Sequence, residues 1–171
     1  QTRALERWLA AGGRILASST GGSVELIAAN RVDLAGLTRA AGLSFGRVTI
    51  TANGAGTEPA AINLAGTVIG GAAVTATTLG NGIQSSGSVS AGTGGVTLTA
   101  ATNIIQSAGT IQGSGAITLG AGETIAQMAG RIVAGTSVSA TTAGSFKLWG
   151  DIIANAGPVQ ITSGAGITQN G

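Results

Sequence analysis

A chain of 171 residues with 31 Gly, 2 Pro, 2 Trp, 2 Phe and no Cys, His or Tyr excludes disulfides, thiol nucleophiles and histidine bases. The net charge of +2 is a near-balance of eight basic and six acidic residues, so an isoelectric point of about 10.5 does not describe a basic surface. Only 8 % of residues are charged, against about 25 % in ordinary domains, while 43 % are hydrophobic, which is enough to build a core.

The apolar residues are mostly Ala, Val, Ile and Leu, so the core is made of small side chains in a narrow space. Arg3, Arg7, Arg14, Arg31, Arg39, Arg47, Arg131 and Lys147 are scattered, without the basic stripe of a nucleic-acid binder. No stretch reaches the 18 apolar residues of a membrane span, and the aromatic girdles of an outer-membrane barrel are missing. No signal peptide is visible. The chain starts at Gln1 and stops in mid-pattern at Gly171, and reads as a fragment of a longer, processed chain. Zero Cys fits a protein exported unfolded through an oxidising compartment.

Residues 1–13 form a lead-in segment. Thr2 can cap a short helix that ends at Gly12-Gly13, or Trp8-Leu9-Ala10 can close a preceding strand, which is the preferred reading. From residue 14 to 171 the chain reads as a solenoid shaft. Ile15-Leu16-Ala17 precedes a turn cluster at Ser18–Gly22. Val24-Glu25-Leu26 and Val48-Thr49-Ile50-Thr51 alternate apolar and polar, as strands do. Asn53-Gly54 and Glu58-Pro59 mark a loop.

The phrase Ile105-Gln106-Ser107-Ala108-Gly109, followed by Ile111, returns as Ala126-Gln127-Met128-Ala129-Gly130, followed by Ile132. A repeat of about 21 residues is one turn of a solenoid. Taking the closing Gly as anchor gives Gly36, Gly66, Gly87, Gly109, Gly130 and Gly157, at spacings of 30, 21, 22, 21 and 27. Three apolar columns follow. Val32, Ile62, Ile83, Ile105, Ala126 (with Ile125 beside it) and Ile153 stand four residues before the anchors. Val68, Val89, Ile111, Ile132 and Val159 stand two after, and Val74, Val96, Ile117 and Val138 eight or nine after. The predicted architecture is an all-β parallel β-helix with three short strands per coil, coils about 4.8 Å apart, and a length of roughly 35 Å. Two longer irregular coils are expected. Leu37 to Arg47 holds Phe45, and Thr141 to Asp151 holds Phe146, Lys147 and Trp149.

The candidate sites are weighed against plain structural roles. Glu6, Glu25, Asp33, Glu58, Glu123 and Asp151 fall on different coils, with no adjacent pair in one column for glycoside hydrolysis. The many Ser have no base, so no catalytic residue is expected. No metal site is expected either, because the Ca²⁺-binding pattern G-G-x-G-x-D is absent. No Gly-rich loop continues into Gly-Lys-Ser/Thr, and no cofactor is implied. Thr49/Thr51, Thr75/Thr77 and Thr97/Thr99 flank inward apolar residues on successive coils, with Thr118 and Ser137/Ser139 roughly continuing the column before it drifts to Gly120 and Ala140. Thr decorates strands as a good β former; the sharper reading is a flat hydroxyl array for ice or a crystalline polysaccharide. Asp33, Asn63, Gln84, Gln106 and Gln127 are expected to stack outside as an amide ladder. Phe146, Lys147 and Trp149 are expected to serve packing or assembly ahead of sugar stacking.

The stretch Gly94 to Phe146, GGVTLTAATNIIQSAGTIQGSGAITLGAGETIAQMAGRIVAGTSVSATTAGSF, resembles the β-strand repeats of large bacterial exoproteins of the filamentous haemagglutinin type. The resemblance extends over about Ile15 to Gly171 in style and repeat length. It implies a right-handed parallel β-helix, secretion to the surface of a Gram-negative bacterium by two-partner or autotransporter routes, and a part in adhesion, biofilm matrix or an extracellular fibre. The N-terminal secretion domain of that family has no counterpart here. The expected function is therefore a structural shaft of a secreted adhesin or fibre. It would self-associate end to end or laterally, the latter through the uncharged span Ala61 to Gly122, with a glycan or host-surface receptor as a further partner. Nucleic-acid binding and membrane insertion are not expected. The alternative is an ice- or polysaccharide-binding solenoid that uses the Thr column.

Overall fold

The computed structural model describes residues 14–17, 22–40, 46–54 and 60–170. The described residues contain strands and turns and no helix. The lead-in segment, the turn at Ser18–Gly21, Phe45 and the Glu58-Pro59 loop lie outside them.

Twenty-one strands make seven rungs of three. The first rung is β1 (Arg14–Ala17), β2 (Val24–Ala28) and β3 (Val32–Leu34); the second β4 (Leu37–Ala40), β5 (Arg47–Ala52) and β6 (Ala60–Leu64); the third β7 (Thr67–Gly70), β8 (Ala73–Thr78) and β9 (Gly82–Ser85). The fourth is β10 (Ser88–Ala91), β11 (Val96–Ala100) and β12 (Asn103–Gln106); the fifth β13 (Thr110–Gly113), β14 (Ile117–Ala121) and β15 (Thr124–Gln127). The sixth is β16 (Arg131–Ala134), β17 (Val138–Thr142) and β18 (Ser145–Leu148); the seventh β19 (Asp151–Ala154), β20 (Val159–Ser163) and β21 (Gly166–Gln169). Every third strand stacks in parallel, giving sheet A from β1 to β19, sheet B from β2 to β20 and sheet C from β3 to β21. This is the predicted β-solenoid. Six steps of about 4.8 Å make it about 29 Å long.

Alternation sends one side chain in and the next out. Sheet A turns Ile15, Thr38, Val68, Val89, Ile111, Ile132 and Ile152 inward. Sheet B contributes Val24, Val48, Val74, Val96, Ile117, Val138 and Val159. Sheet C contributes Val32, Ile62, Ile83, Ile104, Ile125, Phe146 and Ile167. Stacked branched side chains fill a core too narrow for anything but direct contact. In the sixth rung Phe146 replaces an Ile while Ala140 takes the place held by Leu119 below it, so the smaller residue offsets the added bulk of the ring.

The corner between sheets C and A carries a glycine ladder of Gly36, Gly66, Gly87, Gly109, Gly130 and Gly150. A Cβ on Gly87 would stand 1.9 Å from the Gly66 carbonyl oxygen, and one on Gly130 would stand 2.3 Å from that of Gly109. Those carbonyls accept the next rung's first amide: Ser88 N–H donates to Gly66 O at 2.9 Å, and Arg131 N–H to Gly109 O at 3.1 Å. The close approach that forbids a side chain is thus the one that joins the rungs.

Several sequence expectations shift by one position, all for one reason. The corner after β9 is Ser86-Gly87, but the corners after β12 and β15 hold three residues and turn through a left-handed glycine, Gly109 at φ 71° and Gly130 at φ 84°. Counting back from glycine therefore lands one residue off, which reverses the face of the strand. Ile104 and Ile125 point inward, and Ile105 and Ala126 outward. The outward polar ladder is confined to Asp33, Asn63 and Gln84, which share one column, and stops there. Gln84 pairs with Ile105, whereas Gln106 and Gln127 share an inward column with Ser85 and are buried. Their Nε2 atoms brace the longer corners: Gln106 donates to Gly109 O at 3.3 Å and Arg131 O at 3.1 Å, and Gln127 to Gly130 O at 3.2 Å and Asp151 O at 2.9 Å.

The last anchor is Gly150, not Gly157. Arg131 pairs with Asp151, so Thr141 to Asp151 lies on regular strands and the second longer coil is absent. Val159 consequently belongs to the inward column of sheet B, and Ile153 faces outward beside Val133. The first longer coil is present, since Leu37 pairs with Thr67.

Three substitutions test this account by denaturant unfolding. Gly87→Ala is expected to cost about 1–3 kcal/mol through overpacking, whereas Gly120→Ala, whose Cβ would meet nothing closer than Thr99 Cγ2 at 4.0 Å, changes stability by less than about 0.5 kcal/mol. Gln127→Leu, which matches Leu148 in the same column, is expected to cost about 1 kcal/mol because the side-chain hydrogen bonds to Gly130 O and Asp151 O are lost.

Candidate functional site

Sheet B presents the most regular outer face. Its first outward column runs Glu25, Thr49, Thr75, Thr97, Thr118, Ser139 and Gln160. Its second runs Ile27, Thr51, Thr77, Thr99, Gly120, Thr141 and Thr162. The six Thr singled out in the sequence, Thr49, Thr51, Thr75, Thr77, Thr97 and Thr99, thus lie together on three adjacent strands. Two corrections redraw the array. Ala140 is buried and lies under the face, so the second column continues through Thr141 and Thr162. Ser137 precedes β17 and is not a member. Counting alternation from Val138, instead of assuming drift, would have found Thr141.

Three hydroxyls at other positions hold corners. Thr142 Oγ1 donates to Glu123 O at 2.8 Å, Ser163 Oγ to Gly144 O at 2.6 Å, and Thr78 Oγ1 to Asn81 O. On the outer face of sheet B, among the described residues, no Thr hydroxyl bonds to another protein group. These hydroxyls are available to solvent or to a ligand.

The aromatic candidates separate. Phe146 is fully buried and packs in the core, so it does not line a surface site. Lys147 faces outward between Ala126 and Thr168. Trp149 lies on the corner after β18, 39 % exposed, one rung above Met128, which is 49 % exposed. The pair forms a small apolar ridge. Asp151, which a sugar site beside Trp149 would use, is held by Arg131 at 3.4 Å. Arg31 and Asp33 form a second ion pair at 2.8 Å.

The corner between sheets A and B carries a shallow groove floored by Gly70, Gly92 and Gly113 and edged by Arg39, Ser90, Gln112 and Asn155. Its amides and hydroxyls partly satisfy one another, Gln112 Nε2 donating to Ser90 Oγ at 3.2 Å. Among the described residues no three acidic side chains converge on a metal position. No helix there is long and apolar enough to cross a membrane.

No known family model matches the chain, and comparison with curated proteins and with solved structures gives no match either.

The aromatic assignments have a direct check by thermal or denaturant unfolding. Phe146→Ala is expected to cost about 3–5 kcal/mol as a core truncation. Trp149→Ala changes stability by less than about 1 kcal/mol, in keeping with a corner residue whose side chain is partly solvated.

Proposed function

We propose that the chain is a structural shaft segment of a secreted bacterial adhesin or extracellular fibre. One observation carries the reading. Three parallel ladders run through all seven described rungs with one register shift, at Ala60–Ile62 on sheet C, and the seventh rung exposes its apolar residues. Each step along the axis is made by three strands bonded to the next three, so an axial load is shared by many parallel hydrogen bonds. The core holds no charged residue, and few charges interrupt the outside. That combination makes a stiff rod with little loose backbone for a protease to enter.

The ends of the described rod differ. At the first rung Val24 and Val32 are each only 6 % exposed, whereas at the seventh Val159 is 43 % and Ile167 56 % exposed. The free edges of β19, β20 and β21 offer unpaired main-chain groups beside that apolar surface. Such an edge templates further parallel strands. In this reading the seventh rung stacks against further rungs of the same kind. The likeness of Gly94–Phe146 to haemagglutinin-type repeats supports export to a Gram-negative cell surface. The low charge of the span Ala61–Gly122 favours lateral contact between rods.

Electron microscopy and fibre diffraction test the proposal. The expected result is rods that associate as concentration rises, with an axial spacing of about 4.8 Å and slow cleavage by proteases. Val159→Lys combined with Ile167→Lys is expected to leave single short rods, because two charges then sit on the open end. A wild-type chain that stays monomeric at high concentration and is digested quickly would overturn the shaft reading.

A further inference from the structure

We propose that the outer face of sheet B is an ice-binding plane, a capability independent of the role as a shaft. Thr favours strands generally, so that preference alone would spread hydroxyls evenly over all three faces. It does not. From the second to the sixth rung, sheet B carries a hydroxyl at nine of its twelve outward strand positions, the gaps being Arg47, Ala73 and Gly120. Sheet A carries four of ten over the same rungs, at Thr67, Ser88, Ser90 and Thr110. Sheet C carries two, Thr124 and Ser145, whose hydroxyls bond to each other at 3.4 Å, and its other outward column reads Asn63, Gln84, Ile105, Ala126 and Lys147, with none.

The geometry points to a lattice and not to a single molecule. Hydroxyls repeat at about 4.8 Å along the rod and about 6.6 Å along each strand, on a face whose charged residues, Glu25 and Arg47, stand on the first two rungs. Rows of water oxygens on the prism faces of ordinary ice repeat at distances of similar size. Each Thr supplies a methyl group and a hydroxyl on a branched Cβ, whose χ1 is stiff. Most of these side chains are half-buried against their neighbours in the column, which restricts them further. Little rotational freedom is then lost on contact, and many weak contacts act together. Crystalline glycans are the other flat lattice of this scale, but sheet B offers no aromatic platform. Trp149 stands at the corner between sheets C and A.

The test is thermal hysteresis and ice-crystal shaping by the full chain, with folding of each variant checked by its unfolding transition. Wild type is expected to show hysteresis and faceted crystals. Thr97→Lys, at the centre of the array, is expected to abolish both, and Thr75→Lys serves the same purpose if that variant is unstable. Gln112→Lys on sheet A is expected to leave them unchanged. Gly120→Thr is expected to raise the hysteresis, because it completes the second column at a position where a Cβ meets nothing closer than 4.0 Å. Absence of hysteresis in folded wild type would overturn the proposal. Equal loss in Thr97→Lys and Gln112→Lys would do the same. So would Thr97-dependent pelleting with cellulose or chitin in place of hysteresis, which would assign the face to a crystalline polysaccharide.

Discussion

The in-register parallel ladder governs everything else in this molecule. Once one rung lies about 4.8 Å above another, every side chain sits on its counterpart, and the interior is only a few side chains wide. A residue inside must then fit the residue above and below it before it fits anything else. Branched aliphatics do so: Val24 through Val159 on sheet B is six Val and one Ile. The exception confirms the pressure. Phe146 enters its column only in the rung where Ala140 gives up the volume of a leucine.

The same ladder dictates the corners. A chain that must turn three times in about 21 residues brings corner backbone against corner backbone. Glycine is required where the carbonyl below comes within bonding distance of the next amide, as at Gly66 and Gly87. Where the corner gains a residue, the inward position before it changes from Leu64 or Ser85 to Gln106 and Gln127. The amide reaches across the longer turn to carbonyls that the shorter turn had no need to satisfy. Burying a glutamine is costly, and each keeps an Oε1 without a protein partner. That cost is offset by the two hydrogen bonds that each amide donates across the longer turn. The repeated phrase around Gln106 and Gln127 is thus a corner motif, not a surface one.

The fold was legible because a solenoid writes its period into the chain. Valines and isoleucines recur every rung, and the strands alternate cleanly, so three parallel sheets follow from spacing alone. Faces were less legible than strands. Alternation has period two, and one extra corner residue reverses the assignment of everything counted from the corner. Gln106 and Gln127 were therefore placed outside, and Ile105 in the core, although both phrases were aligned correctly with each other. Gly157 imitated an anchor because the residues around it resemble a corner; only the pairing of Arg131 with Asp151 identifies Gly150 as the true one. The hydroxyl face was half legible. Thr49 to Thr99 stood out, but Thr141 was hidden because Ala140 was read as an outward residue.

A solenoid also separates the demands on its two surfaces. Inward residues answer to packing, while outward residues on the strands touch little besides their column neighbours. The fold therefore tolerates Arg39 above Leu16 and below Ile69 on sheet A, and Lys147 between Ala126 and Thr168 on sheet C. Sheet B rests on the same ladder and faces the same solvent, so nothing in the packing of the rod obliges it to be uniform. Its hydroxyls do not bond to the corners or to one another. Uniformity that the core does not require, on a face whose groups remain uncommitted, has to be explained by what the face meets. That places the shaft and the surface on different footings: the first follows from how rungs stack, and the second from a choice of side chains that stacking left open.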